Sequence, residues 1–226
     1  MSYYIISKDE LYHYGTPGMR WGIRNGPPYP LNARAAASSL YKQAKKRINK
    51  ISADVINSAR QTSSKMYGLE HQLKTESSLE RKIDKESKED NCSIGEAAGS
   101  IKDAIRFTTI SSEQDFVRNY ELFKKSMEDK GYSETRCKNY FMQFREGKVK
   151  HKSVQSNFQT KDGYIFEIQF QTPSSQNVKD RKVPLYEEVR DIHTSSARRS
   201  EIEKQMESMA KSIKDPIGID RIKSHN

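Results

Sequence analysis

The stretch Tyr164–Thr172, YIFEIQFQT, alternates by twos: Tyr164, Phe166, Ile168 and Phe170 fall on one side, Ile165, Glu167, Gln169 and Gln171 on the other. Successive side chains of a strand point to opposite faces, so this spacing predicts a strand with an apolar face on a core and a polar floor on the far side. Taken alone, such a strand is simply half exposed. Working outward, Ala104 to Ile110, AIRFTTI, is rich in β-branched and aromatic residues and reads as a second strand with Asp103 at its mouth. Two acids on neighbouring strands could share a magnesium ion, which takes few carboxylates and completes its shell with water and substrate phosphate oxygens. That pairing suits nucleotidyl or phosphoryl transfer.

Between these strands Phe116, Tyr120, Phe123 and Met127 recur at three- and four-residue spacing, which predicts a helix over 112–131 ending at Gly131. Short strands are expected around Tyr140–Phe144 and Ser153–Phe158, and helix again over Leu185–Ile213. Upstream, 69–100 is polar and helix-prone, with Ser77-Ser78 as a candidate cap. Strands separated by helices imply an α/β or α+β layer fold with a small mixed sheet.

The segment from Arg34 to Lys65 holds eight Lys or Arg against one acid, Asp54, and spaces Ile48, Ile51, Val55 and Ile56 along one stripe. A basic amphipathic helix is predicted, whose charges either face solvent or meet a polyanion. Net charge is +10 and the isoelectric point about 9.4, which favours polyanionic partners. With 34% hydrophobic and 31% charged residues, 226 residues supply one main core and much solvated helix. Cys92 and Cys137 stand far apart with no CxxC pair, which suggests neither zinc nor a disulfide scaffold and suits a reducing cytoplasm. No run approaches the about 18 apolar residues of a membrane span, and the opening MSYYIISKDELYHYG lacks the flanks of a secretion signal.

Four pieces in order, KTESSLERK at 74–82, IKDAIRFT at 101–108, HKSVQ at 151–155 and FEIQFQT at 166–172, resemble the RelA/SpoT alarmone synthetase branch of the nucleotidyltransferases over roughly residues 70–190. The resemblance implies a RelA/SpoT-like nucleotidyltransferase fold and pyrophosphate transfer from ATP to a ribose 3′-hydroxyl of a nucleotide or tRNA, with Mg2+ as cofactor. Carried over by position, Lys74, Ser78 and Lys82 contact the donor phosphates, Asp103 holds magnesium, and Arg106 supports the phosphates or the acid. Glu167 is then metal ligand or general base, with Gln169 beside it orienting the acceptor. His151 and the adjacent Lys152 fall to substrate binding. Three positions depart from the family pattern: Gln72 and Gln171 where arginine is usual, and His151 where a base-stacking tyrosine is expected.

Residues 1–33 are dense in Tyr, Gly and Pro and read as a turn-rich tag. Within them LYHYGTPGMRWGIRNGPPYPL, residues 11–31, resembles a motif at the start of virion-associated proteins of Gram-positive phages and prophages, and SSQNVKDRKVPLYEEVR resembles C-terminal parts of phage head-protein fusions. Tyr12, Tyr14 and Trp21 are then anchors for capsid or portal proteins, or Trp21 packs on the chain's own domain. The expected organisation is a tag at 1–33, a basic helical segment at 34–66, the catalytic-type domain at 67–214 and a tail at 215–226. Two readings follow: a phage- or prophage-encoded toxin or effector in the bacterial cytoplasm, or a packaged virion component whose domain is inactive or binds nucleic acid.

Overall fold

The computed structural model describes residues 32–145, 151–191 and 193–226, so the N-terminal motif at 11–31 and its Trp21 lie outside the described residues. By compactness the described residues divide into two units, 32–49 with Leu73–Ile105, and Lys50–Gln72 with the described part of Arg106–Asn226. The limits expected at residues 33, 66 and 214 are a separate proposal about the chain.

Helix α1 spans Ala33–Arg60. Asn32 caps it by accepting from the Ala35 amide at 2.8 Å, which satisfies one of the donors a helix leaves open at its start. Its apolar stripe is buried as expected at Ile48, Ile51 and Val55, and continues through Ala36, Ala37, Ala44 and Ala59.

In the first unit α2 (Glu76–Glu89) and α3 (Ile94–Ser100) follow. The cap of α2 is Thr75, whose hydroxyl accepts from the Ser78 amide, so the expected capping pair Ser77-Ser78 sits instead inside the first turn. Leu79 and Ile83, one turn apart, are its buried positions. Ser93 and Glu96 form a reciprocal capping box on α3, and Asn91 takes the left-handed φ of 48° that lets the chain turn between the two helices.

The second unit carries a five-stranded mixed sheet in the order β1-β2-β5-β4-β3, from β1 (Lys65–Tyr67), β2 (Arg106–Ile110), β3 (Ser133–Asn139), β4 (Val154–Gln159) and β5 (Ile165–Gln171). Among the described residues only β2 and β5 run parallel; the other pairs are antiparallel. The alternation in YIFEIQFQT sets the register: Phe166, Ile168 and Phe170 oppose Phe158, Ser156 and Val154 on one side and, for Ile168 and Phe170, Phe107 and Thr109 on the other. Helix α4 (Phe116–Asp129) buries Phe116, Tyr120, Phe123 and Met127, the positions predicted to face the core. Edge-on ring contacts bind this layer, with Tyr120 and Phe123 at 5.0 and 5.4 Å from Phe170 and Phe123 at 6.3 Å from Phe158.

The strand expected at Tyr140–Phe144 is instead a short helix, α5 (Tyr140–Arg145). Asn139 ends β3 and its side-chain oxygen accepts from the Met142 amide, while Phe141 packs edge-on against Phe116 at 5.7 Å. The helix expected from Leu185 begins earlier: α6 (Pro173–Arg190) starts from a capping box of Thr172 and Ser175 with Pro173 at its first position. Ser195 then caps α7 (Ser196–Lys211).

Residues 215–226, expected as a tail, are tied into this unit. His225 bridges to Cys137 through its backbone, and the buried Asn139 amide donates to the carbonyls of Ile219 and Ile222, each at 2.8 Å.

Candidate active site

Within the first unit, the loop before α2, the body of α2 and the loop before β2 bring three charges together. Lys74 Nζ donates to Asp103 Oδ2 at 2.6 Å and to the Asp103 carbonyl at 2.8 Å, and Lys82 Nζ donates to Asp103 Oδ1 at 2.7 Å. The backbone holds the loops in step, because Lys74 N donates to Ala104 O and Leu73 bridges Ile105. Burial pushes the Asp103 carboxyl up, yet the two ammonium groups outweigh it and hold the acid down at about 2. Asp103 is therefore ionised at neutral pH, the state a magnesium ligand needs. Ser78 lies one turn before Lys82 on α2, its hydroxyl within 3.0 Å of Thr75 Oγ1 and 3.4 Å of an Arg81 nitrogen.

In the second unit the polar side of the sheet carries the remaining acid. Arg106, Glu167 and Asn157 stand in one cross-strand row, and Thr108, Gln169 and Gln155 in the next. The sequence leads one to expect a half-exposed floor; instead Glu167 is only 8% exposed and Gln169 5%. Helix α6 accounts for part of this cover: Lys179 Nζ donates to Gln169 Oε1 at 2.7 Å, and Gln169 Nε2 donates to Glu167 Oε1 at 2.7 Å. Two further bonds join at Asp180 of that helix, from Tyr67 Oη and Gln176 Nε2, each at 2.7 Å.

His151 is also on this unit, with its imidazole pushed down to about 4 by burial first and then by Lys182 and Lys179. It is neutral at physiological pH, so one ring nitrogen is free to accept. Lys182 is itself buried, at 1% exposed, and burial lowers its pKa.

Two positions named by the resemblance are placed elsewhere. Lys152 turns its ammonium to Ile213 O and Asp215 Oδ1, each at 2.8 Å, and lies over the Phe144 ring, so it fastens the C-terminal segment. Gln171, fully buried, accepts from Ser175 Oγ at 2.6 Å and belongs to the start of α6. The third departure, Gln72, accepts from Ser52 Oγ at 2.8 Å, and its carbonyl accepts from the Arg106 amide.

Neither a protein-family model nor a curated sequence matches the chain. Among solved structures it is similar to the small alarmone synthetase 2 of Bacillus subtilis, with 13% identity over 76% of this chain and 88% of that one, at a TM-score of 0.50. The fold is that of the small alarmone synthetases. A GTP pyrophosphokinase family protein of Streptococcus pneumoniae gives 14% identity, 76% and 83% coverage and a TM-score of 0.49. The Type VI effector Tas1, solved in complex with its immunity protein, gives 17% identity, 78% and 95% coverage and a TM-score of 0.47.

On this alarmone-synthetase fold, residues that sequence reasoning missed are Lys179 and Lys182. Both lie on α6, three residues apart and in step with the buried Ser175 and Gln176. The signal was available in Thr172-Pro173, a cap followed by a residue suited to a first turn, which would have placed these lysines on a helix directly after β5.

Proposed function

We propose that the chain is a pyrophosphotransferase that moves the β,γ-pyrophosphate of ATP to a ribose 3′-hydroxyl of a nucleotide or tRNA. The observation that carries this reading is the convergence of Lys74 and Lys82 on the ionised Asp103. The two ammonium groups share one carboxylate, Lys82 also reaching Glu86 at 3.6 Å, and both are partly open to solvent, at 16% and 33% of their side-chain surface, so they can turn to a polyphosphate. In the reaction Lys74 and Lys82 exchange the carboxylate for donor phosphate oxygens, with Ser78 and Arg106 adding contacts. The bond from Pβ to the oxygen bridging Pα and Pβ breaks, a bond from the acceptor 3′-oxygen to Pβ forms, and AMP leaves. The hydroxyl proton passes to Glu167, and Gln169 orients the acceptor.

An ionised Asp103 and a carboxylate at Glu167 fit the hard oxygen donors that magnesium takes, and these two residues are assigned to hold it. When bound, the ion supplies charge neutralisation on the phosphates. The neutral ring of His151 is assigned to the acceptor base, which it can stack upon or bond.

A tRNA acceptor is favoured by α1. Over residues 34–49 the chain has five Lys or Arg and no acid. Arg34, Lys42, Lys45 and Lys46 are exposed and make no ion pair among the described residues. On α2, by contrast, Lys82, Lys85 and Lys88 pair with Glu86, Glu89 and Asp84 one turn away. An unneutralised basic face is suited to a phosphodiester backbone.

A toxin or effector acting in the bacterial cytoplasm, of phage or prophage origin, completes the reading; residues 11–31 are then the handle for capsid or portal proteins. Among the described residues no helix is long and apolar enough to cross a membrane. A virion component with an inactive domain is the second reading, and it rests on that N-terminal motif. The test is incubation of the pure protein with ATP labelled at the γ-phosphate, magnesium and, in turn, GDP, ADP and bulk tRNA. Label is expected on one acceptor with the natural chain and on none with Glu167→Ala; transfer to no acceptor, or equally by both, defeats the enzyme reading. Deleting residues 1–30 is expected to abolish association with phage particles without loss of transfer.

A further inference from the structure

Glu167 makes no ion pair among the described residues. Among the described residues no ion pair joins it to Arg106, although the two stand opposite each other in the parallel register. Its one side-chain hydrogen bond among these residues comes from Gln169 Nε2, to Oε1 at 2.7 Å. The Gln169 amide in turn accepts from Lys179 Nζ at 2.7 Å.

The donors and acceptors along this line allow one arrangement only. An ammonium donates and never accepts, so Gln169 must turn its oxygen to Lys179. An ionised carboxylate accepts and never donates, so the same amide must turn its nitrogen to Glu167. Flipping the amide by half a turn would face donor with donor at one end and acceptor with acceptor at the other. Because Gln169 is buried, neither mismatch could be repaired by bulk water, and an unmet buried polar group is costly. The period of two along β5 puts Glu167 and Gln169 on the same face, and the turn of α6 that follows Thr172 brings Lys179 over them.

We propose that Lys179 is a positioning residue, which sets the Gln169 amide and through it the carboxylate of Glu167, leaving Oε2 available to the reacting hydroxyl or the metal. This rests on the pyrophosphotransfer reading for its catalytic consequence, while the relay itself does not. Helix α6 has other ties to the same unit, through Tyr67 Oη and Asp180 and through the Thr172 cap, so removing the ammonium leaves the helix docked. Lys179 never touches the reacting atoms in this account. Its effect is geometric, and a full charge placed at one remove from Glu167 holds the acid's orientation without the direct ion pair that would occupy its oxygens.

The test compares Lys179→Met, which keeps the length and loses the charge, with Lys179→Arg, which keeps a donor. In nitrogen-15 spectra of the full chain the Gln169 side-chain NH2 pair is identified by its loss in Gln169→Leu. In Lys179→Met the pair is expected to move toward the values of exposed glutamines and to exchange with water at least tenfold faster, with the Phe166 and Ile168 backbone signals in place; Lys179→Arg keeps the natural pattern. An unmoved Gln169 pair in a folded Lys179→Met chain overturns the relay. In the labelled-ATP assay, kcat falls about 10- to 100-fold in Lys179→Met with KM for ATP within twofold, and Lys179→Arg recovers most of it. A rise in KM with kcat unchanged instead makes Lys179 a substrate contact and overturns the positioning role. Should the natural chain transfer no label, the pyrophosphotransfer reading falls and the amide signals alone decide the relay.

Discussion

Two clusters of the molecule handle charge in opposite ways. Around Asp103 the solution is direct: two lysines, each within 2.7 Å, bond one partly open carboxylate. On the polar side of the sheet the acid Glu167 is buried, its neighbour is an amide, and the nearest bonded cation, Lys179, acts through that amide. The first arrangement can exchange its carboxylate for phosphate oxygens with little rebuilding. The second keeps an acid in a fixed pose without occupying it, as a group that must take a proton or a ligand requires. Charge pairing thus suits gripping, and amide relay suits aiming.

The contrast can be broken in several ways. The largest effect is expected from Glu167→Ala, which should lower transfer about 1,000-fold, within the range of a lost general base, while urea unfolding moves little; a large loss of stability with retained transfer would make Glu167 a packing residue. Next, Asp103→Asn removes the carboxylate that Lys74 and Lys82 share and should cost about 2 kcal/mol in urea unfolding, given how far the acid lies below its ordinary range. The pH dependence has a definite sign. Asp103 is depressed from 3.8 to about 2, so its stabilising contribution is complete above about pH 4 and disappears as pH falls toward 2, and Asp103→Asn should flatten that part of the curve.

Lys152→Met should cost about 1–2 kcal/mol by removing the bonds of a buried ammonium to Ile213 O and Asp215, which keeps Arg145, yet folded molecules should keep their transfer rate, since Lys152 faces Ile213 and Asp215. At neutral pH the smallest effect belongs to His151. Its folded pKa of about 4 lies below the ordinary imidazole value of 6.5, so the unfolded chain gains a proton first and stability is lost as pH falls from about 6.5 to 4. His151→Gln should therefore gain on the natural chain as the pH is lowered through that window, and parallel curves would show the imidazole to be solvated.

Much of this was legible in the residues. YIFEIQFQT announces a strand because its alternation is strict, and Phe116, Tyr120, Phe123 and Met127 announce α4 because their spacing matches a helix turn. The edge strand β3, SETRCKN, was missed because an edge needs few apolar side chains, and only Cys137 and Asn139 are buried in it. Strand β1 has three residues and offers no period to read. The start of α6 was hidden by polar residues and by Pro184 within the helix, and with it went Lys179 and Lys182. Asp103 and Glu167 stood out as acids beside strands, whereas the choice of Lys74 and Lys82 among forty Lys and Arg came from the family resemblance alone. Lys152 shows the limit of that route: a neighbour in sequence to His151, it is turned by local packing to a different partner.

Pyrophosphate transfer leaves a nucleotide behind, and that nucleotide reports it most directly. Phosphorus-31 spectra of ATP incubated with magnesium, the labelled acceptor and the natural chain should show AMP accumulating one for one with a newly formed 3′-diphosphate, and neither with Glu167→Ala. Accumulation of ADP instead, or AMP without a diphosphorylated acceptor, would contradict it.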